Sequence, residues 1–345
     1  MPSAAQDRNA VRHDPAAPAR NRADPASTRP PGPFSGVKQP YTRLVHIGVG
    51  LARSLTSPGS KVAELARLIE GSGYDSIWVG EHLAMPVKWQ SRFPFTDDGS
   101  APFDHTVPYT EAMVTLGFLA GVTNRVRLGT SVIPVNTRHP LALAKQAASV
   151  DLMSDGRLEL GLGSGWLREE GPLLGLPDDH LVQRLEEFMP ILRSAWTERE
   201  FAYEGTYYSF PPVGIHPHPV QNPLPIWIGG LGPRLIALAS EHAVGVIVPA
   251  RDPESTLAMV RTAASNLPAG HGIAVVTGLS GEPVRDLDFA QALAEAGATR
   301  LVLGTSLDES IAKNQLSAFA TDALPSLSED TSRAAPSDQP RGNSE

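Results

Sequence analysis

The pattern of apolar and polar positions changes period repeatedly through the middle of the chain. Strand-length apolar runs lie at Leu44–Val49, Asp75–Val79, Arg125–Val132, Arg157–Gly163, Pro225–Gly229, Val244–Pro249, Ile273–Thr277 and Arg300–Gly304. Helical spacing separates them, over about 60–72, 110–122, 140–153, 180–196, 233–242, 253–265, 286–296 and 308–321. Repeated strand–helix units call for a parallel sheet with helical crossovers, and eight of each predict an α/β fold, the (β/α)8 TIM barrel. An open doubly wound sheet is the alternative. It calls for Gly-x-Gly-x-x-Gly after the first strand, whereas the chain reads Gly48-Val49-Gly50-Leu51-Ala52-Arg53 there and lacks the third glycine. Two connections are long. Residues 80–108 follow the second strand, and residues 166–224 follow the fourth and hold a helix and a hairpin around Phe201–Phe210. In a barrel both insertions fall on the C-terminal face, where active sites are built.

Composition divides the chain further. Residues 1–40 are rich in Pro, Ala, Arg and Asp, with almost no large apolar side chain before Phe34. Such a segment buries too little surface to offset its ordering entropy, so a disordered tail is expected over 1–40, a barrel over 41–328 and a second disordered tail over 329–345. The N-terminal segment has arginines but no apolar core, unlike a secretory leader. No apolar run approaches the roughly 20 residues that cross a bilayer, so no membrane partner is expected. The net charge of −8, with no basic stripe to offset it, argues against nucleic acid. The absence of cysteine removes disulfides, thiolate metal sites and cysteine nucleophiles, and fits a cytoplasmic protein.

The fourth strand is the most informative. Leu158, Leu160 and Leu162 share one face, Glu159, Gly161 and Gly163 the other. The leucines are expected on the outer helices and the glycines inside, clearing room for a ligand. The third strand alternates likewise, with Arg127, Gly129 and Ser131 opposite Val126, Leu128 and Thr130. A charge inside a barrel must be paired, so Arg127 and Glu159 are expected to meet. His82 follows the second strand, well placed for proton transfer or for hydrogen-bonding a substrate, with Glu81 beside it to orient the imidazole. Gly229-Gly230, before a helix near Pro233, offers backbone N–H groups to an anion, although a tight turn explains the pair equally well. His216-Pro217-His218-Pro219 is expected to be extended, with its two imidazoles facing opposite ways and no metal between them. There is no Gly-x-Ser-x-Gly nucleophile elbow.

An ordered set of motifs carries a resemblance. Arg138-His139-Pro140, Ala144-Lys145-Gln146, Asp151, Ser154-Asp155-Gly156-Arg157 and Gly161-Leu162-Gly163-Ser164-Gly165-Trp166 resemble the luciferase-like monooxygenase superfamily. Ser91 to Gly99, Pro102-Phe103-Asp104 and Pro219-Val220-Gln221-Asn222-Pro223 are more closely similar to its actinobacterial coenzyme F420-dependent oxidoreductases. The resemblance spans about residues 44–305. It implies a barrel that binds F420, a deazaflavin, or alternatively FMN, at the C-terminal face, acts on a small-molecule substrate and forms a homodimer. By position it places His82 near the ring or substrate and Gly129, Thr130, Ser131 and Val132 behind the ring, with a non-proline cis peptide between the last two. It sets Gly163, Ser164 and Gly165 against the cofactor and Gly229 and Gly230 at its phosphate. Trp166, Trp89 and Phe93 form the substrate wall. Trp166 stands where the sugar-phosphate dehydrogenases of the family carry an acid, and an indole cannot donate a proton as a carboxylic acid does. Further departures are Gly171-Pro172 after the Glu-Glu pair, Asp179-His180 in place of Arg-Gly, and Val244-Gly245-Val246 in place of Asp-Gly-Trp. The implied activity is hydride transfer by an F420-dependent oxidoreductase, with an FMN-dependent oxygenase or a non-catalytic cofactor-binding barrel as alternatives.

Overall fold

The computed structural model describes residues 46–51, 57–277, 287–305 and 309–327. Both expected tails and residues 41–45 lie outside that set. Among the described residues eight parallel strands close on themselves: β1 (His46–Gly50), β2 (Ser76–Val79), β3 (Arg127–Thr130), β5 (Leu158–Gly163), β8 (Ile226–Gly229), β9 (Gly245–Pro249), β10 (Gly272–Val276) and β11 (Arg300–Gly304). The β3–β5 pairing completes the ring, with Leu128 opposite Leu158. A short β4 (Ile133–Pro134) continues beyond β3 and pairs with the upper half of β5. The third strand is thus broken after Thr130, where the periodicity alone gives one run.

The helices that cover the barrel are α1 (Gly59–Gly71), α2 (Ala112–Val122), α3 (Pro140–Met153), α5 (Leu181–Thr197), α6 (Pro233–His242), α7 (Pro253–Asn266), α8 (Leu287–Glu295) and α9 (Glu309–Asp322). Three start on proline at the first helical position, α3 after His139, α6 after Gly232 and α7 after Asp252, where the missing N–H costs no hydrogen bond. The second long insertion holds a short α4 (Glu170–Leu173), α5 and an antiparallel hairpin of β6 (Phe201–Glu204) and β7 (Ser209–Val213). Leu158, Leu160 and Leu162 are fully buried among the helices, as their period predicts. Helix α2 is apolar around its whole circumference and leaves Val114 and Phe118 exposed.

The barrel interior is filled differently from the expectation. Arg127 does meet Glu159, but Arg300 joins them, and the Trp227 indole N–H donates to the same carboxylate at 2.8 Å. The Arg300 guanidinium lies 5.3 Å from the Trp78 ring and 5.5 Å from the Trp227 ring. Gly129 and Gly272 make room for these indoles rather than for a ligand. A Cβ on Gly129 would fall 2.3 Å from the Trp78 ring, and one on Gly272 2.6 Å from Trp227. A Cβ on Gly161 would lie 1.9 Å from the Thr130 carbonyl oxygen. Gly245, which opens the sixth barrel strand, packs against Gly272 and Trp227 for the same reason.

Candidate active site

A cavity of about 900 Å3 opens at the C-terminal ends of the strands. Four of those strands end in glycine, and the glycines pair in register: Gly50 with Gly304, and Gly163 with Gly229. All four line the cavity, so its floor exposes backbone where side chains would otherwise stand. Val132 reaches over Gly163 and Gly229, and a Cβ on either would approach its methyl groups to 2.6 or 2.9 Å. The Ser131–Val132 peptide is cis.

The insertion after β2 forms the aromatic wall. His82 packs edge-on against Tyr109, with centroids 5.1 Å apart, and against Trp166 at 5.5 Å. Phe93 and Phe103 also pack against Trp166, and Phe103 reaches Tyr109. Adjacent carboxylates hold this insertion from the segment after β5. Glu169 accepts from the backbone N–H groups of Gln90 and Ser91 and from the Ser91 hydroxyl. Burial alone would raise its pKa, but Ser91 and these N–H groups outweigh burial and lower it. Glu170 accepts from the N–H groups of Leu83 and Ala84, at 2.5 and 3.1 Å, and its other oxygen lies 2.8 Å from Nδ1 of His82. Arg251 ties the far end of the insertion to the barrel by donating to the Pro94 carbonyl.

The imidazole partner is therefore Glu170, and Glu81 is not. Glu81 turns away to Arg138, whose guanidinium donates to it at 2.6 Å, and it also accepts from the Ala112 N–H and the Thr137 hydroxyl. Burial raises the Glu81 pKa, against the pull of Arg138. Glu81 still borders the cavity, but its carboxylate is committed to the arginine.

Of the other expected site residues, Ser131, Val132, Gly163, Ser164, Gly165, Gly229, Gly230, Trp166 and Phe93 line the cavity. Gly129 and Thr130 do not. Gly129 is covered by Trp78, and the Thr130 hydroxyl is spent on both backbone groups of Gly161. Trp89 packs against Trp166 from behind, at 6.3 Å, without lining the cavity. The Gly230 N–H donates to the Ile247 carbonyl at 3.1 Å and is not free for a phosphate. Three arginines, Arg92, Arg168 and Arg251, line the cavity. Sequence reasoning missed them, together with Tyr109 and Glu170, because each reaches the site only through loop geometry. The His216 and His218 rings are stacked 4.8 Å apart and do not face opposite ways, since both reach the adjacent carbonyls of Arg199 and Glu198. No metal-binding group of side chains occurs among the described residues.

Comparison with known proteins agrees with this architecture. The structure of a coenzyme F420-dependent tetrahydromethanopterin reductase from Methanopyrus kandleri superposes with a TM-score of 0.61 at 18% identity, covering 82% of this chain and 99% of that one. An uncharacterized protein of Mycobacterium tuberculosis is 36% identical over 183 residues, 53% of this chain and 65% of that protein. An F420-dependent glucose-6-phosphate dehydrogenase of Microbacterium testaceum is 35% identical over 199 residues, 56% of this chain and 54% of that protein. The match thus spans between half and two thirds of the length of these relatives. The sequence profile of the luciferase-like monooxygenases matches residues 44–340, most of the chain. This chain belongs to the luciferase-like monooxygenase family.

Proposed function

We propose that the protein is a coenzyme F420 (deazaflavin)-dependent oxidoreductase that transfers a hydride to or from a small organic substrate. The observation that carries this reading is His82: a buried imidazole at the end of a barrel strand, set in an aromatic wall above a glycine floor. The floor suits a flat heteroaromatic ring, because Gly50, Gly304, Gly163 and Gly229 present only backbone to the cavity. Ser131, Val132, Gly163, Ser164, Gly165, Gly229 and Gly230 would hold the ring, and Arg168 and Arg251 at the cavity edge suit an anionic tail. When bound, a deazaflavin supplies the hydride donor or acceptor. With Nδ1 held by Glu170, His82 has Nε2 left to give a proton to a substrate oxygen or take one from it. Trp166, Phe93, Phe103 and Tyr109 form an apolar wall that excludes water and favours an apolar substrate over a sugar phosphate. The naming of F420 for the dehydrogenase and reductase relatives supports the deazaflavin, and the exposed apolar face of α2 supports a homodimer.

The experiment is anaerobic turnover of the oxidised and reduced deazaflavin with a panel of small alcohols, aldehydes and ketones. Deazaflavin conversion that depends on one of these substrates supports the reading. Oxygen uptake with reduced FMN and no deazaflavin conversion would assign the oxygenase activity instead.

A further inference from the structure

Among the described residues three glutamates are almost completely buried, and their partners differ. Glu159 is neutralised by Arg127 and Arg300, and Glu81 by Arg138. Glu170, 1% exposed, has no arginine or lysine partner among the described residues. The Leu83 and Ala84 backbone N–H groups donate to Oε1, and Nδ1 of the His82 ring lies 2.8 Å from Oε2. An ionised carboxylate accepts only, so a group pointed at it donates. From this geometry we infer that Glu170 is a positioning residue that fixes the proton of His82 on Nδ1, in the neutral ring and the imidazolium alike. Proton exchange with a ligand is thereby confined to Nε2.

The same carboxylate makes the imidazole dependent on the insertion. Oε1 is anchored by the first residues after His82, so the root of the 80–108 loop must be seated for Oε2 to reach Nδ1. His82 itself is held on both sides by Tyr109 and Trp166, which fixes the ring plane but cannot choose its tautomer. The hydrogen bond at Nδ1 makes that choice.

Glu170→Gln tests the inference while keeping the side-chain shape. The Leu83 and Ala84 N–H groups still require an oxygen, so the amide NH2 is left facing Nδ1 and must donate to it. The ring then has to carry its proton on Nε2. The measurement is long-range 1H–15N NMR of the full chain labelled at histidine, at a pH where the imidazoles are neutral, with the His82 signals assigned by their loss in His82→Asn. The expected result is a protonated Nδ1 and an unprotonated Nε2 in the native protein, reversed in Glu170→Gln. Glu170→Ala, which removes the partner altogether, is the second variant and should also lose the Nδ1–H preference. An unprotonated Nδ1 in the native protein, or a Glu170→Gln protein that keeps Nδ1–H, overturns the inference. Although the role of His82 in turnover rests on the function proposed above, this readout needs no cofactor, so the failure of one is distinguishable from the failure of the other. Where deazaflavin turnover is found, Glu170→Gln should lower kcat on the order of 100-fold with little change in cofactor affinity.

Discussion

The Trp78 indole occupies the space a side chain on Gly129 would need: a Cβ there would fall within 2.3 to 2.6 Å of three ring carbons. The two residues stand side by side on neighbouring strands, paired in register. Gly129→Ala must therefore displace a fully buried tryptophan or shift a barrel strand, and should destabilise by about 1–3 kcal/mol. Gly121→Ala, in helix α2 with nothing within 4 Å of the new methyl, should stabilise by ~0.5–1 kcal/mol. Equilibrium urea unfolding of both variants checks the pair.

That contact also shows what the sequence discloses and what it hides. The barrel, all eight of its strands and the long insertions follow from periodicity, because period 2 and period 3.6 are imposed by the backbone. The meeting of Arg127 and Glu159 follows from the cost of an unpaired interior charge. What fills the space beside a glycine depends on partners far along the chain, so the expectation of an emptied face fails at Gly129 and Gly161, while Gly163 does line the cavity. Gly129 and Gly272 serve tryptophans, and Gly161 a carbonyl oxygen. Glu81 and Glu170 show the same limit. Adjacency in sequence favoured Glu81 as the partner of His82, whereas Glu170, 88 positions away, takes it because the insertion folds back onto the segment after β5.

The buried charges at the base of the barrel give stability a defined acid dependence. Burial works against the Glu159 carboxylate, but Arg300 and Arg127 outweigh it and hold its pKa below the ordinary 4.5. Asp75 is likewise lowered, against burial, by His46, Arg300 and Ser76. A folded-state pKa below the unfolded value means the unfolded chain binds more protons in that interval. The contribution is fully present above the unfolded value and is lost as pH falls through the folded one. Glu159→Gln should flatten the acid side of the stability profile below about pH 5. At neutral pH it should lose about 3–5 kcal/mol by leaving two guanidinium groups without their carboxylate. Urea midpoints across the acid range measure both effects.

The Glu169 clamp gives the insertion an independent test. Its oxygens hold Gln90 and Ser91 of the insertion and, among the described residues, bond to no barrel strand. Glu169→Ala should speed limited proteolysis within residues 86–108 severalfold and leave the melting temperature nearly unchanged. An equal proteolysis rate in native protein and variant would show that the other anchors, Glu170 and Arg251, suffice.

His82 is expected to handle a proton and not to hold the cofactor. His82→Asn should therefore lower kcat by roughly 10²–10⁴ while leaving deazaflavin affinity within a few-fold. Binding titration and steady-state kinetics on the same preparation separate the two effects. A variant that loses affinity and keeps kcat would move His82 from proton transfer to cofactor binding.

The central claim is that the glycine floor beside His82 receives a deazaflavin. A competition titration of the full chain with F420 and FMN tests it most directly, followed by fluorescence, with Gly163→Leu as the control that fills the floor. Saturable F420 binding that excess FMN does not displace and that Gly163→Leu abolishes is expected. Tight FMN binding with no F420 binding, or F420 binding untouched by Gly163→Leu, would contradict it.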